Sequence, residues 1–137
     1  MKTISTLAIA ICGLLIFISC KKDKTTTPEI KEVQVRVANA TSWTFYNCTV
    51  DPTGTLSDNP GPNAFNYGQI NIDTNSDYHG FPKVYNYSWV RLTMNNRTYY
   101  LKFFDYTGET PLANGRYTYK ITYSATNDRL NYELIKD

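Results

Sequence analysis

The chain has 137 residues, 42% hydrophobic and 15% aromatic, with 12 Tyr, six Phe and two Trp. Such aromatic content favours packed strands over disorder, and the length admits one small domain while excluding a large enzyme scaffold such as a (β/α)8 barrel. Fourteen Lys and Arg against 12 Asp and Glu leave a formal charge of +2. A nucleic-acid-binding domain is far more basic, so nucleic acid is not expected as a partner.

The N-terminus reads as a targeting segment. Lys2 supplies a short positive region, and residues 7–18 (LAIAICGLLIFI) form an apolar run. The run is too short to span a bilayer, which takes about 20 residues, but it suits a signal-peptide core. It ends in Phe17-Ile18-Ser19-Cys20, which resembles the bacterial lipobox: a small residue, then the Cys that is lipidated and becomes the mature N-terminus. Phe17 stands where Leu is usual, and Cys12 is a poor competitor because Ile11 before it is not small. The resemblance implies a signal peptide over 1–19 and a Cys20 that carries a diacylglycerol and usually a third acyl chain. Two or more chains hold a protein stably on a membrane. Lys21, not Asp, follows Cys20, so the expected location is the cell envelope, at the outer membrane, with either leaflet open. Residues 20–32 comprise the lipidated Cys and a polar tether with a Thr run and Pro28. That tether reaches at most about 40 Å. Cys48 is then left without a disulfide partner and is expected as a buried small residue on a strand, not as a nucleophile.

Residues 33–137 are the expected domain, with nine basic residues balancing nine acidic ones. No stretch keeps a 3.6-residue hydrophobic period. Period-2 alternation recurs instead, as half-buried strands require. Val33, Val35 and Val37 alternate with polar neighbours, and residues 43–50 (WTFYNCTV) are β-branched and aromatic. Residues 51–63 hold three Pro and two Gly and read as a long loop. A short strand is expected over 67–72 and a long pair over 84–94 and 98–104. Tyr117, Tyr119, Ile121 and Tyr123 alternate with polar residues, as do Leu130, Tyr132 and Leu134. About seven strands at this spacing predict an all-β fold, a single β-sandwich of immunoglobulin-like or transthyretin-like topology.

One hairpin can be placed by register. Asn95-Asn96 suits a two-residue turn because Asn tolerates positive φ. Leu92 then faces Tyr99, Val90 faces Leu101 and Ser88 faces Phe103, giving an apolar face. The opposite face pairs Arg91 with Tyr100, Trp89 with Lys102, Tyr87 with Phe104 and Tyr85 with Tyr106. An exposed face is ordinarily polar, and this one is an aromatic ladder interleaved with cations. Tyr85, Tyr87, Trp89, Arg91, Tyr100, Lys102 and Phe104 are therefore the candidate ligand-binding residues, with a glycan or an envelope protein as the expected partner. The bland alternative is that the 51–66 loop or another strand covers this face.

Catalytic patterns are sparse. The single His, His79, is expected in a loop or strand end, and His79 with Cys48 is too small a set for a zinc site. A Ser-His-Asp triad would have to use the same His. Asp73-Thr74-Asn75-Ser76-Asp77 opens like an EF-hand loop, but Tyr78 stands where Gly is needed and Val84 where Glu is needed, so a polar turn is expected. Asp105 and Glu109 are the carboxylates nearest to a glycosidase pair, but they are close only in sequence. No phosphate-binding loop, dinucleotide fingerprint or Cys-x-x-Cys is present. The expectation is a protein that is not an enzyme, without cofactor or metal.

Phe81-x-x-x-Tyr85-x-Tyr87, Asp105-Tyr106-Thr107-Gly108-Glu109-x-Pro111-Leu112 and Gly115-x-Tyr117-x-Tyr119 together resemble a group of small lipoproteins from Bacteroidetes-type bacteria. The head Ser19-Cys20-Lys21-Lys22-Asp23 is similar too. The likeness spans the second half of the mature chain and implies a lipid-anchored envelope protein, with no catalytic residue to carry over. The expected function is a non-catalytic binding or interaction module. The alternative is a structural or accessory subunit of an envelope uptake or assembly complex.

Overall fold

The computed structural model describes residues 30–54, 59–103 and 106–137. Their strands are β1 (Val33–Asn39), β2 (Tyr46–Asp51), β3 (Phe65–Asn66), β4 (His79–Phe81), β5 (Trp89–Met94), β6 (Arg97–Leu101), β7 (Gly115–Ser124) and β8 (Arg129–Lys136). They form two four-stranded sheets, ordered β4-β1-β7-β8 and β3-β2-β5-β6, and the protein is an all-β sandwich.

Alternation decides which side chains meet between the sheets. Val33, Val35 and Val37 of β1 and Tyr117, Tyr119 and Ile121 of β7 form one inner wall. Cys48 and Val50 of β2 and Val90, Leu92 and Met94 of β5 form the other. Full burial of an aliphatic side chain of this size contributes about 1.5–3 kcal/mol. The β1–β7 ladder is parallel, with Val35 beside Tyr117 and Val37 beside Tyr119. The other ladders between these strands are antiparallel.

Tyrosines can enter this core because their hydroxyls find carbonyls. Tyr67 donates to the Val35 carbonyl at 2.8 Å and Tyr119 to that of Tyr85 at 2.8 Å. Tyr117 donates to Ala113 at 3.0 Å, a tyrosine corner in which the hydroxyl reaches back to the backbone leading into its own strand. Burial pushes the Tyr119 phenol well above its ordinary range, so it stays a neutral donor. Asn39 is a buried polar hub. Its Nδ2 donates to the carbonyls of Trp43 (2.8 Å) and Ile70 (3.1 Å), and its Oδ1 accepts from the Thr41 N–H and hydroxyl.

The strands depart from the expected bounds at identifiable residues. The segment 84–88 lies outside the β5 ladder. The β2–β5 pairing ends at Asp51 opposite Trp89, and Pro52 has no N–H with which to extend it. The strand expected over 67–72 does not form as such: a two-residue strand, β3 at Phe65–Asn66, stands just before it, and within it only Ile70 bridges, to Phe45. Asn47, with φ of 49°, lies at a bulge that shifts the β2 register against β5, while on the other side Cys48 and Phe45 keep backbone bonds to Tyr67, Gly68 and Ile70. His79 stands at a strand end, as expected, opening the short β4 on the β1 edge. Residues 73–77 make a turn and then run beside β1: Asn39 donates to the Thr74 carbonyl and Ser76 to the Val37 carbonyl.

Asp51 organises the start of the long loop. Its buried carboxylate accepts from the Gly61 N–H at 2.7 Å and from both the N–H and the hydroxyl of Thr53. Cys48 is a free thiol in the core, and burial pushes it up to about 12.

Candidate functional site

A ring contact brings β3 beside β4 on one side of the sandwich, and β6 lies against β8 on the other. The first side is closed by rings. The imidazole of His79 stacks on Phe65 at 3.6 Å and 9°, and Phe81 meets it edge-on at 4.9 Å. That packing gives His79 a structural place between the sheet edges.

The second side is open. A groove of about 700 Å³ runs between the β6 and β8 edges. Tyr100, Leu101 and Lys102 line one flank, Arg129, Leu130 and Tyr132 the other, and Asn86, Tyr87 and Phe103 close one end. Tyr87 and Phe103 are stacked at 4.4 Å, and Phe103 meets Tyr132 edge-on at 5.8 Å. The Tyr132 hydroxyl donates to the Asn86 carbonyl at 3.2 Å, and burial raises its phenol, which keeps it protonated. Tyr100 is 49% exposed and Tyr87 37%, so rings face solvent within the groove. The Lys102 ammonium lies 5.2 Å from the centre of the Tyr100 ring.

The two edges are clasped beyond the other end. Asp128, in the β7–β8 turn, accepts hydrogen bonds from Tyr123 (2.8 Å) and Tyr99 (3.0 Å) and pairs with Arg97 at 2.8 Å. The bonds from Tyr123, Tyr99 and Arg97 hold its carboxyl below the usual range, and the bond to Asp128 pushes the Tyr123 phenol up to about 12. Residues of β6 are thereby fixed to the turn from which β8 starts.

The aromatic face expected from the hairpin divides in two. Tyr87, Tyr100 and Lys102 line the groove. Trp89 is 1% exposed and Tyr85 8%, so neither presents a ring to a ligand. Tyr85 packs beside Tyr106 at 5.2 Å, and its N–H donates to the Pro52 carbonyl. A Cβ on Gly54 would come within 3.0 Å of the Tyr85 ring. The beginning of the long loop thus covers that end of the face, while Tyr100 packs edge-on to Trp89 at 6.2 Å. Arg91 is half-buried on β5 opposite Tyr100. Phe104 and Asp105 lie outside the described residues, as does Cys20. Glu109 sits in a turn closed by its N–H to the Tyr106 carbonyl.

Sequence reasoning missed Arg129, Asn131 and Tyr132, which come from the other sheet, and it placed Phe103 on the apolar face with Ser88. The β5–β6 ladder ends at Leu101. Past that point the pleat no longer dictates direction, and the Phe103 ring turns onto Tyr87. Among the described residues, no three His, Cys, Asp or Glu side chains converge where a metal ion could sit.

The fold and site define a small β-sandwich with an open aromatic groove at one pair of sheet edges. A protein from Eubacterium rectale, solved by NMR, is similar in fold, with a TM-score of 0.52 at 14% identity over 77% of this chain and 90% of that one. No family model and no curated protein matches the sequence.

Proposed function

We propose that this protein is a lipid-anchored module of the cell envelope, tethered at Cys20 to the outer membrane, that binds a partner without catalysis. The observation that carries the reading is the groove between β6 and β8. It leaves Tyr87, just before β5, and Tyr100 of β6 exposed in one lining, and exposed rings in a concave, mixed polar and apolar setting are typical of binding sites. The lipobox at Ser19-Cys20 and the polar stretch after it support the anchored location.

The test is affinity capture from detergent-solubilised membranes with wild type and a Tyr87→Ala/Tyr100→Ala variant. A glycan or protein retained by wild type and lost in the variant supports the reading. Retention of a stoichiometric protein equally by both would favour an accessory subunit docked elsewhere on the sandwich. A reproducible hydrolytic turnover, abolished by His79→Ala, would overturn the non-catalytic assignment.

A further inference from the structure

We propose that the groove binds an acidic oligosaccharide, with Tyr100 and Tyr87 stacking on sugar faces and Arg129 pairing with the anionic group. The inference rests on the groove being the binding surface and adds the chemistry of what it takes.

The lining carries three kinds of group. Tyr87 and Tyr100 are exposed phenols, each with an apolar face and a polar tip. A pyranose has the matching character, with C–H groups on its faces and hydroxyls around its rim. Asn86 and Asn131 add amides to the lining, and an amide both donates and accepts, as a field of hydroxyls requires. A purely apolar occupant would leave those amides without partners at a cost.

Charge narrows the class. Among the described residues the groove lining contains Lys102 and Arg129 and no carboxylate. Lys102 already lies over the Tyr100 ring. Of the acids near the lining, Asp128 is committed to Arg97 and two phenols, and Glu109 acts on Tyr132, at the end of the groove away from Arg129. Arg129 is exposed at the clasped end of the groove, and its forked donors suit a carboxylate, sulfate or phosphate on a sugar. The volume of about 700 Å³ lies within the range of small-molecule sites. Both flanks are sheet edges, so the groove is open to solvent along its length and can hold a short oligosaccharide between its closed and clasped ends.

The test uses the full lipidated protein in detergent on an array of uronate-, sulfate- and phosphate-bearing glycans beside neutral glycans of the same linkages. Acidic members should be retained, with neutral counterparts bound about tenfold more weakly. Tyr100→Ala and Arg129→Gln should each weaken retention by about tenfold, whereas Arg116→Gln, beside β1 and outside the lining, should not. Unchanged melting temperatures of the variants exclude misfolding as the cause. Equal binding of acidic and neutral glycans, or retention indifferent to Arg129→Gln, overturns the proposal. If no glycan is retained but a protein captured by wild type is lost in Tyr100→Ala, the saccharide is wrong and the groove stands as a binding surface. If no glycan is retained and capture is also unchanged by Tyr100→Ala, both fail.

Discussion

Asn39 makes four hydrogen bonds while buried in the core, two as donor and two as acceptor. The Asn39→Asp exchange keeps the shape but replaces the donating amide with a carboxylate oxygen facing the Trp43 and Ile70 carbonyls. A cost of about 3 kcal/mol is expected, read as a lower urea midpoint with unchanged slope. Asp51 has the opposite polarity, a carboxylate that only accepts, and it receives N–H groups from Thr53 and Gly61. Truncation by Asp51→Ala strands those donors and should cost about 2–4 kcal/mol in the same measurement, while Asp51→Asn, which keeps one acceptor, should cost less. Cys48 is inert for a simple reason: a thiol buried in the core and pushed up to about 12 offers almost no thiolate at neutral pH.

At the scale of elements, the β5–β6 hairpin turns through Asn95 and Asn96, with φ of 47° and 57°. Both residues lie in the left-handed region, the pattern of a type I′ turn, in which Gly is favoured at the second position. Asn96→Gly should therefore stabilise the protein by about 0.5 kcal/mol and Asn96→Val should destabilise it by about 1–2 kcal/mol, measured by thermal and urea unfolding. The Asp128 clasp predicts a pH dependence. Its carboxyl is lowered by the bonds from Tyr123, Tyr99 and Arg97. Its contribution is thus present above the unfolded carboxylate pKa of about 4 and lost as pH falls through the folded value. Tyr123 is raised to about 12, so its share is present below the unfolded phenol pKa of about 10 and lost as pH rises from there towards the folded value. Melting temperatures of wild type should fall faster than those of Asp128→Asn at both extremes, and parallel curves would contradict the clasp. The hairpin was legible in the sequence because a two-residue turn fixes register, and Leu92 opposite Tyr99 and Arg91 opposite Tyr100 follow by counting. Legibility ended with the ladder. Pro52 halts the pairing at Trp89, the loop from Asp51 covers Tyr85, and Phe103 turns where no strand constrains it. The groove itself joins β6 of one sheet to β8 of the other, and no local pattern encodes which edges of two sheets will meet.

For the whole molecule, the proposed function puts a lipid anchor at Cys20 and a binding groove on the domain. Under that proposal Cys20→Ala should leave the sandwich intact, because 12 residues of sequence lie between Cys20 and Val33, and should abolish lipid attachment. Metabolic labelling with a clickable palmitate analogue should mark wild type and not Cys20→Ala; equal label on both, or none on either, would remove the anchor. The claim that the groove is the working surface is tested most directly by photo-cross-linking in living cells, with p-benzoylphenylalanine in place of Tyr100 or, as control, of the exposed Asn75 beside β1, outside the groove lining. An envelope glycan or protein is expected joined at position 100 and absent at position 75. No adduct at position 100, or the same adduct at both positions, would contradict the claim.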